Sequence, residues 1–209
     1  MSFNGSFTHV RTCTLVQNVF KDLEPSFRLV REAGLRVSIH CGEIPCAADN
    51  DDPKVQFGFQ DTKDILAFRP DRLGHALLLP NEMFDELEAS KEKIPIECCP
   101  TSNVMTLELA THYEGDLVHG LRQHPRLKGW LDSDFPISIS TDDPGIFNTN
   151  STAELVLLVE AFEMNNPWQI VSMVINSIEH IFESDEFKVE LREALMNQIK
   201  MVSKTFIAL

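Results

Sequence analysis

Four short apolar runs, set between stretches of helical periodicity, organise the 209-residue chain. They are Leu35 to Ile39, Asp71 to Gly74, Ile94 to Cys98 and a run beginning at Ile137, each of a length and composition that predicts a buried strand. Val19, Phe20, Leu23, Phe27, Leu29 and Val30 follow one helical face, broken by Pro25, and Gly34 stops that helix. A second helix is expected over about Phe59 to Phe68, ending before Pro70, and Asn81 is placed to cap a third with Met83, Phe84 and Leu87 on its face. Pro100-Thr101-Ser102-Asn103 reads as a polar turn, and Leu107 to Trp130 as mixed loop and helix. Ser151-Thr152-Ala153-Glu154 reads as a capping box opening a helix through Phe162. Pro167 begins another helix, to about Phe182, and Ser184 caps a last one running towards Lys204. Residues 1–18 carry no periodicity and read as an irregular lead-in. Pro45 and the acidic stretch Asp49-Asn50-Asp51-Asp52 mark a long loop after the first strand. With no repeat and no linker, residues 1–209 read as a single domain.

Strands alternating with helices predict a parallel α/β sheet, and such folds build their active sites at the carboxyl ends of the strands. Those ends are where this chain concentrates its chemistry. The first run leads into His40-Cys41-Gly42-Glu43, the second into His75, the third into Glu97-Cys98 and the fourth into Asp142-Asp143. A neutral imidazole suits a metal ion, and a nearby carboxylate can carry a proton. Adjacent carboxylates repel unless a cation or hydrogen-bond donors compensate. Taken singly, each has an ordinary alternative: Asp-Asp-Pro-Gly is good turn chemistry, and a lone histidine can be a satisfied core residue. Together, in one chain order at successive strand ends, they favour a shared site.

Composition narrows the partners. A formal net charge of −14, from 18 basic and 32 acidic residues, disfavours a nucleic acid polymer, while a small nucleotide can still enter a local pocket. No apolar run approaches the ~18 residues that a membrane helix needs, and the first eleven residues lack the pattern of a secretory signal. The five cysteines, Cys13, Cys41, Cys46, Cys98 and Cys99, are odd in number and include an adjacent pair. They read as free thiols of a reducing compartment, so a cytoplasmic location is expected.

Ser38-Ile39-His40-Cys41-Gly42-Glu43, Arg69-Pro70-Asp71-Arg72-Leu73-Gly74-His75, Glu97-Cys98-Cys99-Pro100-Thr101-Ser102-Asn103 and Ser140-Thr141-Asp142-Asp143-Pro144-Gly145-Ile146-Phe147 resemble the adenosine deaminase family of the metal-dependent hydrolase superfamily. Asp71-Arg72-Leu73-Gly74-His75 and Thr101-Ser102-Asn103-Val104 look most like its adenosine deaminase-like branch, which acts on N6-methyl-AMP. The tail from Asn176 to Phe182 is also similar. The resemblance implies a zinc-bearing barrel hydrolase of purine metabolism, with His40 and Asp142 as zinc ligands. Glu43 is implied to protonate the purine ring as hydroxide adds at C6. His75 is implied to orient and stabilise that hydroxide, and Gly42 and Asp143 to contact the purine.

The family's first strand ends in His-x-His, supplying two further zinc ligands, and this sequence has no His-x-His; His9 stands alone in an unmatched stretch. The family segment between that first strand and the strand before His40 has no counterpart either. A complete eightfold barrel takes ~250 residues. The expected fold is therefore α/β: the carboxyl-terminal half of a (β/α)8 barrel, about strands five to eight, plus closing helices. Its zinc ligand set is expected to be incomplete, and its open strand edges to favour self-association. His112, His119, His124 and His180 fall outside the motifs and read as solvated or structural. Two other functions stay open: deamination of free adenosine, and a non-catalytic remnant that binds a nucleotide or partner.

Overall fold

In a computed structural model the described residues are 9–10, 19–47 and 53–207. Residues 49–52 of the acidic loop, Cys13 and most of the lead-in lie outside them. Five parallel strands form one sheet in the order β1-β2-β3-β4-β5: β1 His9–Val10, β2 Ser38–Cys41, β3 Arg72–His75, β4 Ile96–Cys98 and β5 Ile137–Ile139. The four expected strands are present, each starting one to three residues into or beyond its apolar run, or at its head for β5. A fifth strand, not expected from the sequence, lies at His9–Val10 within the stretch read as lead-in. His9 and Val10 pair with Ser38 and Ile39, and two residues are too few to leave an alternating signature in a sequence.

Register explains why the sheet has one apolar and one polar face. Ile39, Leu73, Ile96 and Ile137 are neighbours across β2 to β5, and all are buried. One residue further along, His40, Gly74, Glu97 and Ser138 are neighbours in the same register. Successive side chains on a strand point to opposite faces, so the second row shares the face away from the apolar row.

The helices that close the apolar side begin with α1, Val19–Glu32, and α2, Pro53–Phe68. Pro25 lies inside α1 and does not break it. An interior proline costs ~3 kcal/mol, and local packing offsets that cost. Phe20 stacks on Phe27 at 5.6 Å and meets Phe68 of α2 edge-on at 5.4 Å. The Phe20 amide, an orphan donor in the helix's first turn, donates to Asp61 Oδ1 at 2.8 Å. α2 starts six residues earlier than expected, with Pro53 at its first position, where a missing N–H is harmless.

Two predicted caps work differently. α3, Asn81–Ala89, follows Pro80 at the cap position, and the Asn81 side chain instead accepts from the Arg126 guanidinium at 2.8 Å. α8, Ser151–Phe162, is capped by Asn150, whose side chain accepts from the Ala153 amide at 3.0 Å. Glu154, expected to reach back to Ser151 as the cap, is instead fully buried. It accepts from the Thr101 amide at 3.0 Å and from the Thr149 hydroxyl at 2.6 Å.

Thr101 belongs to α4, Pro100–Thr106, so the segment read as a polar turn is a helix with proline at its start. Two short helices follow, α5 Leu117–Arg122 and α6 Leu127–Asp132. Between them His124 is buried, its Nδ1 accepting from the amides of Arg126 at 3.2 Å and Leu127 at 3.0 Å. The imidazole thus serves the first turn of α6 where no side chain caps it, and its ring lies 5.7 Å from the buried Trp130. After β5 comes α7, Pro144–Phe147.

The chain divides into two compact units, residues 1–163 and 164–209, where the sequence reads as one domain. The second holds α9, Pro167–Ser177, capped by Asn166, and α10, Asp185–Ile207, whose Phe187 amide donates to the expected cap Ser184 at 3.2 Å. α9 stops five residues before its expected end, giving way to a tighter turn at Ile178–His180. No helix among the described residues is long and apolar enough to cross a membrane.

Two consequences are measurable. Glu154→Ala strands the buried Thr101 amide, and urea unfolding should show a loss of about 2–3 kcal/mol. Burial, reinforced by nearby His75, pushes His124 down to about 4 from an ordinary 6.5. The unfolded chain then takes up this proton before the folded one does. The stability it contributes is fully present above pH 6.5 and is lost as pH falls towards about 4. Denaturation at stepped pH should show a decline on the order of 3 kcal/mol across that window, flattened in His124→Phe.

Candidate active site

The polar row of the sheet ends in a set of strand exits that share one backbone device. Gly42 follows β2 with φ of 64°, His75 ends β3 with φ of 61°, and Asp142 follows β5 with φ of 55°. Left-handed backbone is cheap for glycine and costly for the other two, and such strain concentrates at functional sites. Gly42 has a second reason to lack a side chain, since a Cβ there would lie 3.2 Å from the Ala76 backbone.

These exits bring most of the sequence-predicted residues together. His40 Nδ1 lies 3.5 Å from Glu43 Oε1. His75 Nε2 lies 3.7 Å from the same oxygen and 3.9 Å from Asp142 Oδ2. The rings of His40 and His75 meet edge to face at 4.7 Å. Both histidines are buried, whereas Glu43 is 40% exposed and opens the cluster to solvent. Asp143 sits one residue beyond Asp142, at the start of α7, where its carbonyl accepts from the Ile146 and Phe147 amides.

Gly74 makes room for the cluster. A Cβ there would lie 2.1 Å from His40 Cδ2, so the His40 ring occupies the space that any other side chain would need. His40 Nε2 comes within 4.0 Å of Glu97 Oε2, whose other oxygen pairs with Arg72 Nε at 2.7 Å. Glu97 and Arg72 carry no role in the sequence reading, although both lie in quoted motifs. Only the strand register reveals that Glu97 faces His40 across a glycine.

The α4 segment supplies the support from the other side. Ser102 Oγ donates to Asp142 Oδ2 at 2.8 Å. The Asn103 amide nitrogen meets His75 Nδ1 at 2.9 Å, and its oxygen meets His124 Nε2 at 3.3 Å. Thr101, Ser102 and Asn103 are all buried, so these polar side chains serve the site's framework rather than an open surface. Of the histidines outside the motifs, His124 is thereby linked to the site, while His119 sits on the exposed pair with Asp116.

Burial is the main influence on His75 and pulls its pKa down; Glu43 opposes it, and His40 adds to the depression. The thiols of Cys41, Cys98 and Cys99 are all raised, chiefly by burial, which keeps them protonated and poorly nucleophilic. Cys41, Cys46, Cys98 and Cys99 are free, in keeping with the sequence reading.

Two overlapping groups of donors could hold a cation: His40, Glu43 and His75, and His75, Cys99 and Asp142, the atoms of each lying within 4.8 Å of one another. His40 falls in one and Asp142 in the other, with His75 common to both. Imidazole nitrogen and carboxylate oxygen are donors that zinc accepts. The His75 Nε2 atom is buried without a hydrogen-bond partner, a cost that either a cation on its lone pair or, if it carries the proton, an acceptor atom entering this space would remove.

Comparison with known proteins places this arrangement. The profile of the family described as adenosine deaminase matches residues 13–198. The adenosine deaminase-like protein of Drosophila pseudoobscura pseudoobscura is 33% identical over 167 residues, covering 80% of this chain and 42% of that protein. The N6-methyl-AMP deaminase of Homo sapiens is 30% identical over 175 residues, covering 82% and 43%. Among solved structures, the apo N6-methyl-AMP deaminase from Arabidopsis thaliana superposes with a TM-score of 0.67 at 25% identity, over 83% of this chain and 44% of that one. Arabidopsis ADAL complexed with IMP gives 0.68 at 25% identity, over 85% and 45%. The chain spans less than half the length of the curated relatives it matches, and its parallel α/β sheet corresponds to part of the barrel seen in those structures. Its sequence motifs, its fold and this profile agree, and the chain belongs to the adenosine deaminase family.

Proposed function

We propose that the site serves zinc-dependent hydrolytic deamination of a 6-aminopurine nucleotide, of the N6-methyl-AMP or AMP type, to IMP and the free amine. The observation that carries this reading is a chain of contacts at the strand exits, His40 to Glu43 at 3.5 Å, Glu43 to His75 at 3.7 Å and His75 to Asp142 at 3.9 Å. That relatives are named N6-methyl-AMP deaminases, and that a similar structure holds IMP, supports the nucleotide over the free nucleoside.

His40 and Asp142 are the residues that would hold the zinc ion. A bound zinc ion would lower the pKa of a water towards neutrality and so supply a nucleophile at neutral pH. Glu43 is half exposed, where a purine can reach it, and its role is to give a proton to the ring nitrogen as oxygen adds at C6. The C6–N bond then breaks and the amine leaves. His75 donates from Nε2 to the incoming oxygen, and Gly42 and Asp143 contact the base. Glu97 with Arg72 holds the His40 ring, and Ser102 holds Asp142.

Two ligands are one fewer than a catalytic zinc site uses. This favours a second reading for the chain by itself, a nucleotide- or partner-binding module without turnover. The sheet's outer strands β1 and β5 each pair on one side among the described residues, and such edges invite association with a further chain, including a second copy. The free thiols fit a reducing, cytoplasmic setting.

The chain alone is expected to bind zinc weakly; elemental analysis after dialysis should find well under one equivalent. Assays with N6-methyl-AMP, AMP and adenosine should show turnover well below ~1 s⁻¹. Calorimetry with added zinc should show IMP binding more tightly than inosine. Preference for inosine would move the reading to the nucleoside, and no binding of either would remove the purine site from this chain.

A further inference from the structure

The geometry points to His124 and Asn103 as positioning residues that fix which ring nitrogen of His75 carries the proton. Two groups at the head of α6 have a polarity that is beyond choice. The backbone amides of Arg126 and Leu127 can only donate, and both are aimed at His124 Nδ1, at 3.2 and 3.0 Å. That nitrogen must therefore present its lone pair. Burial keeps the ring neutral, so its single proton resides on Nε2.

Each later link inherits its direction. His124 Nε2–H faces the Asn103 side chain at 3.3 Å and requires an acceptor there, which orients the amide oxygen towards His124. The amide nitrogen then faces His75 Nδ1 at 2.9 Å, and an amide nitrogen only donates. His75 Nδ1 is thus an acceptor, and in the neutral ring the proton sits on Nε2. Asn103 and His124 are both buried, so no bulk solvent competes to reverse the chain. A neutral imidazole left to itself exchanges between tautomers; this one is set from a backbone turn at the head of α6.

The consequence lies at the site's centre. His75 Nε2–H emerges 3.7 Å from Glu43 Oε1 and 3.9 Å from Asp142 Oδ2, too far for a hydrogen bond to either. The N–H is held as a donor towards whatever enters between those carboxylates, and in this tautomer His75 offers no lone pair to a cation, which leaves that role to the other donors of the cluster. On the proposed function, that is the oxygen adding at the purine C6. The use of the proton rests on that reading; its position does not, and can be measured without substrate.

Nitrogen NMR of the chain with isotope-labelled histidine, near neutral pH, reports the protonated nitrogen of each ring. The expected result is Nε2–H for both His75 and His124. Asn103→Asp replaces the donor facing His75 with a group that only accepts, and should place a proton on His75 Nδ1. His124→Phe frees the Asn103 amide to turn and should give a mixture of tautomers at His75. A purely structural role for these residues would leave the His75 tautomer unchanged in any variant that folds. Nδ1–H alone in the unaltered chain, or Nε2–H with no proton on Nδ1 in folded Asn103→Asp, overturns the proposal. Should Asn103→Asp fail to fold, the spectra of the unaltered chain and of His124→Phe decide it.

Discussion

The first turn of α4 is the constraint on which the site depends. Three consecutive residues there each hold a different part of the molecule. The Thr101 amide is bound by Glu154 of α8, Ser102 holds Asp142 beyond β5, and Asn103 joins His75 of β3 to His124 before α6. Helical geometry spreads consecutive residues about 100° apart, which is why one turn can reach three directions. Pro100 starts the helix immediately after β4 without sacrificing a hydrogen bond. An extended or irregular segment there could satisfy one of these partners, but not all three at once.

The sheet contributes the complementary half of the arrangement. Parallel register places His40 beside Gly74 and Gly74 beside Glu97, so the one strand without a side chain at that level sits between the two that need to approach. The imidazole fills the gap, and Glu97, steadied by Arg72, forms its far wall. Left-handed backbone at His75 and Asp142 then turns the chain sharply at the rim. The strain those two residues carry is balanced by the hydrogen bonds that α4 makes to each of them.

The sequence revealed much of this because strand ends are where polar chemistry interrupts apolar runs. The alternation of Ile39 with His40, Leu73 with Gly74 and Ile96 with Glu97 is visible without coordinates. What it could not reveal was long-range partnership. Glu154 matches a capping box locally, yet a buried amide 53 residues away captures it, and Asn150 caps in place of Ser151. Asn81 is likewise taken by Arg126. Pro25 is a sound reason to end an isolated helix, overridden by aromatic packing against α2. β1, at two residues, is shorter than any periodicity can register. His124 resembled an incidental core histidine because its value lies in the direction of two backbone amides, which no motif encodes.

The same commitments bear on how a nucleotide could be recognised. A monophosphate brings negative charge to a chain of net charge −14 and a rim already lined by Glu43, Glu97 and Asp142. Thr101, Ser102 and Asn103 are natural suspects for phosphate donors by residue type alone. Their burial and their internal partners remove them from that role. Arg72 is spent on Glu97, and releasing it would leave a half-buried carboxylate unbalanced beside His40. On the proposed function, discrimination between nucleotide and nucleoside therefore has to come from groups beyond the α4 turn. On that proposal, metal binding and phosphate recognition are separable, and a substitution at the rim should impair the first without altering the preference set by the second.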